Sequence, residues 1–278
     1  MLSTAVDLAQ AAGSVLMQSF GGHHTVVAQK GDISNVLTEA DLASERVILD
    51  GLRRRFPDHG VIAEETGFLA GTSGYTWIVD PLDGSSNYAA GIPWFGVLVA
   101  LLHEARPVAA VLHLPVSGET YTAEAGGGAF LNGHRVAVSN AQALSEVLWA
   151  YGMDAKPTAH EREQDARLLS RLLARVRNVR ATNSLVDAAL TADGRLGGML
   201  NRSTRIWDIA APLLIVTEAG GLYTTPTGAP LSLSPTVDAP DRVYEVLAGA
   251  PQLHRQVIDL LRDDTAPEAG QDAPGRGT

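Results

Sequence analysis

Apolar residues recur at helical spacing from the start of the chain. Leu2, Val6, Ala9, Ala12, Leu16 and Phe20 mark one face of an amphipathic helix over 2–20, and Gly21-Gly22 stops it. A short strand around 26–28 leads into Lys30-Gly31-Asp32, read as a turn. Thr38 stands where a helix N-cap belongs, with Glu39 and Asp41 in the first turn to suit the dipole. That helix runs to about Phe56, where Pro57-Asp58 ends it. The period then shortens. Val61-Ile62-Ala63 and Trp77-Ile78-Val79 predict buried strands, and each delivers the chain into acidic residues. Residues 95–103, 107–113 and 119–124 predict three strands with short separators, hence an antiparallel meander. Gly126-Gly127-Gly128 and Asn132-Gly133 continue it through turns.

After Tyr151 the pattern alternates. Strand 146–151 leads through Lys156-Pro157 to a helix near 159–175, followed by strand 177–181, helix 184–192, strand 196–200 and helix 208–219. A long Pro- and Thr-rich connection over 224–242 precedes strand 244–249 and helix 252–262. Alternating elements predict a layered α/β half. The expected organisation is an N-terminal α+β part over 1–150, an α/β part over 151–262, and an acidic, Pro/Gly-rich, disordered tail over 263–278.

Composition narrows the class. The 278 residues are 45% hydrophobic and 19% charged, an ordinary composition for a water-soluble chain with a sizeable core. A net charge of -10 argues against a general nucleic-acid binder. With no cysteine, disulfides, zinc–thiolate sites and cysteine nucleophiles are excluded. The N-terminus lacks a basic start and is interrupted by Asp7, Gln10 and Gln18, so no secretory signal is expected. No apolar run approaches the roughly 20 residues of a membrane span. A cytoplasmic protein is expected.

The acids that follow the strands carry the chemistry. Asp80-Pro81-Leu82-Asp83 places two carboxylates at the end of an apolar run, and Glu64-Glu65 does the same one strand earlier. Buried charges must be paired or must hold a metal. Gly84-Ser85-Ser86 looks like a helix start, where free N–H groups attract an anion. Asp41 lies on an early helix, and Asp208 follows Trp207 at the head of a late one. Each has an ordinary role when taken alone: Asp208 as an N-cap, Asp41 as a dipole partner, Asp83-Gly84 as a turn, Glu64-Glu65 as a solvated loop. Those roles do not explain why acids follow successive apolar strands. Oxygen ligands without His or Cys suit a hard cation such as Mg²⁺, which shares its shell with substrate phosphate.

Four segments carry a family resemblance. Trp77 to Tyr88, W-I-V-D-P-L-D-G-S-S-N-Y, resembles the first signature of the inositol monophosphatase family, and Trp207 to Gly221, W-D-I-A-A-P-L-L-I-V-T-E-A-G-G, resembles the second. Ala63-Glu64-Glu65-Thr66-Gly67 is similar to the family's G-E-E segment, and Lys30-Gly31-Asp32 with Thr38 to Asp41 to its K…T-x-x-D segment. The resemblance implies a layered αβαβα sandwich, commonly a homodimer. It implies a Mg²⁺-dependent, lithium-sensitive phosphomonoesterase with two to three ions per site. By position, Glu64, Asp80 and the Leu82 carbonyl would hold a first ion, and Asp80, Asp83 and Asp208 a second. Glu64 would reach a weaker third ion through water, and Glu65 would be structural. Glu64 and Ser85 would orient the attacking water, with Asp41 backing the Ser85 hydroxyl. Asp83, Gly84, Ser85, Thr182, Asn183, Asn201 and Asp208 would contact the substrate, a small phosphate ester.

Departures bear on the substrate. Ser85 replaces the family's usual Thr but keeps the hydroxyl. Ala181-Thr182-Asn183-Ser184 stands in place of a G-S/T-A-A turn, and Ala90 where a polar residue is usual. Asn201 stands where inositol-specific members carry a Glu that binds sugar hydroxyls, which weakens the case for inositol phosphate itself. Arg202 and Arg205 would recognise a second phosphate or carboxylate if either faced the pocket, and otherwise serve surface solubility. Bisphosphate nucleotides, fructose bisphosphate and histidinol phosphate are the alternatives within the family. A regulatory protein on the same fold is the alternative from another class, since some bacterial members dock onto transcription machinery. No direct nucleic-acid contact is expected of this acidic chain. His23-His24 reads as an exposed pair, and His103 and His113 as structural.

Overall fold

The computed structural model describes residues 1–22, 26–29, 36–154 and 158–262, with the backbone alone for 26–29 and 36–37. The expected turn at Lys30-Gly31-Asp32, the pair His23-His24, the Lys156-Pro157 link and the tail 263–278 lie outside the described residues. The chain opens with helix α1 (Leu2–Ser19), the hairpin β1 (Val26–Gln29) and β2 (Val36–Thr38), and helix α2 (Glu39–Arg55). Strands β3 (Gly60–Ala63), β4 (Gly67–Leu69) and β5 (Tyr75–Asp83), helix α3 (Ser85–Ala89), and strands β6 (Gly96–His103), β7 (Arg106–Leu114), β8 (Glu119–Glu124), β9 (Gly128–Leu131) and β10 (His134–Arg135) follow. The second half alternates: β11 (Leu148–Gly152), α4 (Ala159–Leu173), β12 (Asn178–Arg180), α5 (Val186–Ala192), β13 (Gly198–Thr204), α6 (Ile206–Glu218), β14 (Leu222–Thr224), β15 (Tyr244–Gly249) and α7 (Pro251–Arg262).

Two large sheets result. The first has eight strands in the order β10-β9-β8-β7-β6-β5-β3-β4, antiparallel except for the parallel β3–β5 pair. The second has five, β12-β11-β13-β15-β14, parallel across β12, β11 and β13 and antiparallel beyond. Strand alternation sends neighbouring side chains into different layers. Val61, Trp77, Val79, Val97 and Val99 of the large sheet pack against α1 and α2. Ile62, Ile78, Leu98 and Ala100 face the other way, onto α5 and α6. Those helices touch the second sheet through Ala150, Met199, Val246 and Ala248. Trp149, Leu200 and Leu247 cover its far face against α4 and α7. The stack is therefore αβαβα, as the resemblance implied. Among the described residues no helix is long and apolar enough to cross a membrane.

The structure moves several expected boundaries. β5 extends to Asp83, so Asp80 and Asp83 sit within the strand rather than after it. β13 continues to Thr204 and carries Asn201, because β15 pairs with it that far. α6 starts at Ile206, which makes Asp208 its third residue and Arg205 its N-cap. The short strands β4 and β14 were not expected; three residues carry little periodicity, and each forms by pairing with a longer neighbour.

Candidate active site

Two aspartates three residues apart on a regular strand point to opposite faces. Here both point to one. Asp80 pairs with Leu98 and Asp83 with Gly96, so three steps on β5 oppose two on β6. The extra residue is a β-bulge at Pro81-Leu82, and it reverses the parity. Pro81 has no N–H to miss in the interrupted ladder. Asp80 and Asp83 thus share the face of Leu98, toward α6, while Leu82 turns into the opposite layer with Val79.

Asp208 reaches the same point from the first turn of α6, where its Oδ2 accepts the Arg205 backbone N–H at 2.6 Å. One carboxylate oxygen each from Asp80, Asp83 and Asp208 lies within 4.8 Å of the others. Glu64 follows β3, its N–H bonded to the Val79 carbonyl at 3.2 Å, and it lines the same cavity. Burial pushes Asp83 and Asp208 up to about 7, and neighbouring carboxylates add to the rise. Burial, with the charges of Glu64, Asp83 and Asp208, holds Asp80 well above the usual carboxylate range. Acids so crowded repel one another unless a cation joins them. The donor set is oxygen only, which fits a hard divalent cation.

The backbone after the strand is constrained. Gly84 sits at φ +86°, and a Cβ there would come within 2.6 Å of the Trp94 carbonyl oxygen. α3 has only five residues, so it contributes one turn of N–H groups. The Ser85 hydroxyl lies 3.0 Å from Asp41 Oδ1 and 2.9 Å from the Leu82 carbonyl. Asp41 itself is fully buried, and its Oδ2 takes the Thr38 N–H at 2.8 Å. Asp41 therefore stands behind Ser85 and is not among the residues lining the cavity. Glu65 donates its N–H to Glu45 Oε2 at 2.9 Å.

The cavity has a volume of about 560 Å³. Asn183 and Asn201 both line it. Asn183 adopts φ +48°, a conformation Asn tolerates better than Ala. Its side chain accepts the Met153 N–H at 3.0 Å and donates to the Met153 carbonyl at 2.8 Å, so it clamps the segment after β11. Thr182 is not among the lining residues; its hydroxyl donates to Asp187 at 2.8 Å. Arg205 lines the wall, whereas Arg202 points to the outer layer and pairs with Asp165 and Glu245, each at 3.0 Å. Sequence reading missed Asp154, Tyr223 and Asp241, which also line the cavity. Asp154 accepts the Asn183 amide at 3.0 Å, and its charge helps raise Asp83 and Asp208. An isolated Asp in a loop carries no local signal; only its place after β11 could have marked it.

An oxygen-only acid cluster, a part-buried hydroxyl–carboxylate pair and an open cavity beside them can bind a divalent cation and position water against a phosphate. The chain resembles known proteins over most of its length. Residues 1–265 match the model of the inositol monophosphatase family. "Nus factor SuhB" of Salmonella typhimurium is 32% identical over 266 residues, 95% of this chain and 96% of that protein. "Inositol-1-monophosphatase" of Rhizobium meliloti is 35% identical over 230 residues, 82% of this chain and 86% of that protein. The solved structure of a Thermotoga maritima IMPase superposes with a TM-score of 0.84 at 30% identity, covering 94% of this chain and 96% of that chain. On its motifs, its layers and these matches, the chain belongs to the inositol monophosphatase family.

Proposed function

We propose that this protein is a Mg²⁺-dependent phosphomonoesterase that hydrolyses a small polyol or sugar phosphate. The observation that carries the reading is the convergence of Asp80, Asp83 and Asp208 from two separate elements, with oxygens within 4.8 Å. Glu64, Asp80 and the Leu82 carbonyl would hold one ion, Asp80, Asp83 and Asp208 a second, and Glu64 a weaker third through water. Bound there, Mg²⁺ supplies charge neutralisation on the phosphoryl oxygens and lowers the pKa of water. The chain does the positioning. Glu64 and the Ser85 hydroxyl orient the attacking water. Asp41 holds that hydroxyl and accepts its proton in the hydrogen bond. Gly84 and Ser85 present N–H groups to the phosphate, and Asp83 and Asp208 lie on the leaving-group side. Asn201, with the wall that Asn183 and Thr182 support, meets the alcohol part. No covalent phosphoenzyme is required. Inhibition by lithium and homodimer formation belong to the same reading.

A second reading is favoured by one observation. Relatives covered over almost their whole length are named Nus factors. A regulatory binding role on this fold therefore stands beside catalysis, and the expectation of no nucleic-acid contact is given up.

Phosphate release with Mg²⁺ across inositol, histidinol, fructose and nucleotide phosphates tests the enzyme reading; no release above background from any of them sinks it. Asp83→Asn should lower kcat by about a thousandfold or more while the thermal transition persists. Wild-type-like turnover would remove Asp83 from the site.

A further inference from the structure

Arg202 and Arg205 lie three residues apart and are used in opposite ways. Arg202 alternates away from Asn201 on β13, into the layer of α4. There it gives Nη1 to Asp165 and Nε to Glu245, both at 3.0 Å. Its charge is compensated on the outside of the sheet. Arg205 lies in the cavity wall. Its backbone N–H is bonded to Asp208 Oδ2 at 2.6 Å, which ties its Cα to the acid cluster. Its Nη1 donates to the Asp241 carbonyl, also at 2.6 Å. A neutral carbonyl orients the guanidinium without cancelling its charge. Among the described residues no carboxylate lies within ion-pair distance of that guanidinium, and Arg205 is the sole cation among those lining the cavity.

A half-buried guanidinium without a counter-ion is costly, and the fork geometry suits a bidentate oxyanion. The cavity of about 560 Å³ runs from the acid cluster past Asn201 to Pro240 and Asp241, more room than a single phosphate fills. Asn201 is neutral, so it does not repel an anion passing toward Arg205, as an acid there would. We infer that Arg205 is a specificity-determining residue that takes a second anionic group, phosphate or carboxylate, carried on the alcohol part of the substrate. This rests on the phosphomonoesterase reading.

The test compares substrates that differ only in the second anion, with the full chain and Mg²⁺. Fructose 1,6-bisphosphate against fructose 1-phosphate reads a phosphate, and 2-phosphoglycerate against glycerol 2-phosphate reads a carboxylate. In at least one pair the wild type should favour the doubly anionic member about tenfold or more in kcat/KM. Arg205→Gln should abolish that ratio through KM, and Arg205→Lys should restore part of it. A wild type without preference in either pair, or a preference that survives Arg205→Gln, overturns the inference and leaves the phosphatase reading intact. If the wild type hydrolyses none of the four, the kinetic ratio gives way to a binding measurement, and the phosphatase reading is decided by the wider panel of phosphate esters. Calorimetric titration with fructose 1,6-bisphosphate then decides Arg205: tenfold weaker binding to Arg205→Gln supports the inference, and equal binding overturns it.

Discussion

Asp187 is an acid kept in the interior by hydrogen bonds alone. It is buried, accepts the Thr182 hydroxyl at 2.8 Å, and burial pushes it up to about 7. A folded-state pKa above the unfolded 3.8 means that the folded chain holds the proton more tightly. The stability this contributes is present below the unfolded value and is lost as pH rises through about 7. Asp187→Asn keeps an acceptor and removes the titration. Its melting temperature relative to the wild type should therefore rise by at least about 2 °C between pH 5 and pH 8. A difference that is flat with pH would refute the assignment. At this scale the candidate metal-site acids were readable, because Glu64, Asp80 and Asp83 come at the end of apolar runs and Asp208 lies in a signature segment at a helix start. Asp154 was not, because its role depends on Asn183, 29 positions away.

The junction of β5 and α3 sets the aim of the site. The bulge puts Asp80 and Asp83 on one face, and Gly84 then turns the chain so that Ser85 meets Asp41. Gly84→Ala has to adopt a positive φ and displace the Trp94 carbonyl. It should cost about 1–3 kcal/mol and lower the melting temperature by about 2 °C or more. Turnover should fall as well, because Ser85 moves with the junction; a variant as stable and active as the wild type would show that the junction is not strained. At the other end of α6, Glu218 takes the N–H groups of Gly126 and Gly128 at 2.7 and 2.8 Å. The helix that presents Asp208 is thus anchored at both ends.

For the molecule as a whole, the middle layer is the link. α5 and α6 pack between both sheets, so Asp208 meets Asp80 and Asp83 only when the two halves are assembled. Cation binding and folding should therefore be coupled. Chelation at neutral pH should lower the melting temperature, and Mg²⁺ at 100 times its Kd should add about 2.7 kcal/mol of stability. Asp83→Asn should lose most of that increment. A melting curve indifferent to Mg²⁺ would mean that the acid cluster holds no ion.

Sequence alone was enough for the local events: most helices and strands, the meander, the signature segments and the acids within them. Those depend on neighbours a few residues away, where hydrophobic period, caps and turns act. Tertiary structure decided which way side chains point. One extra residue opposite β6 brought Asp83 to the face of Asp80. The pairing of β15 with β13 extended that strand, so that Asn201 faces the cavity and Arg202 does not. The start of α6 placed Arg205 in the wall. Facing depends on register between strands distant in sequence, and a shift of one residue reverses it.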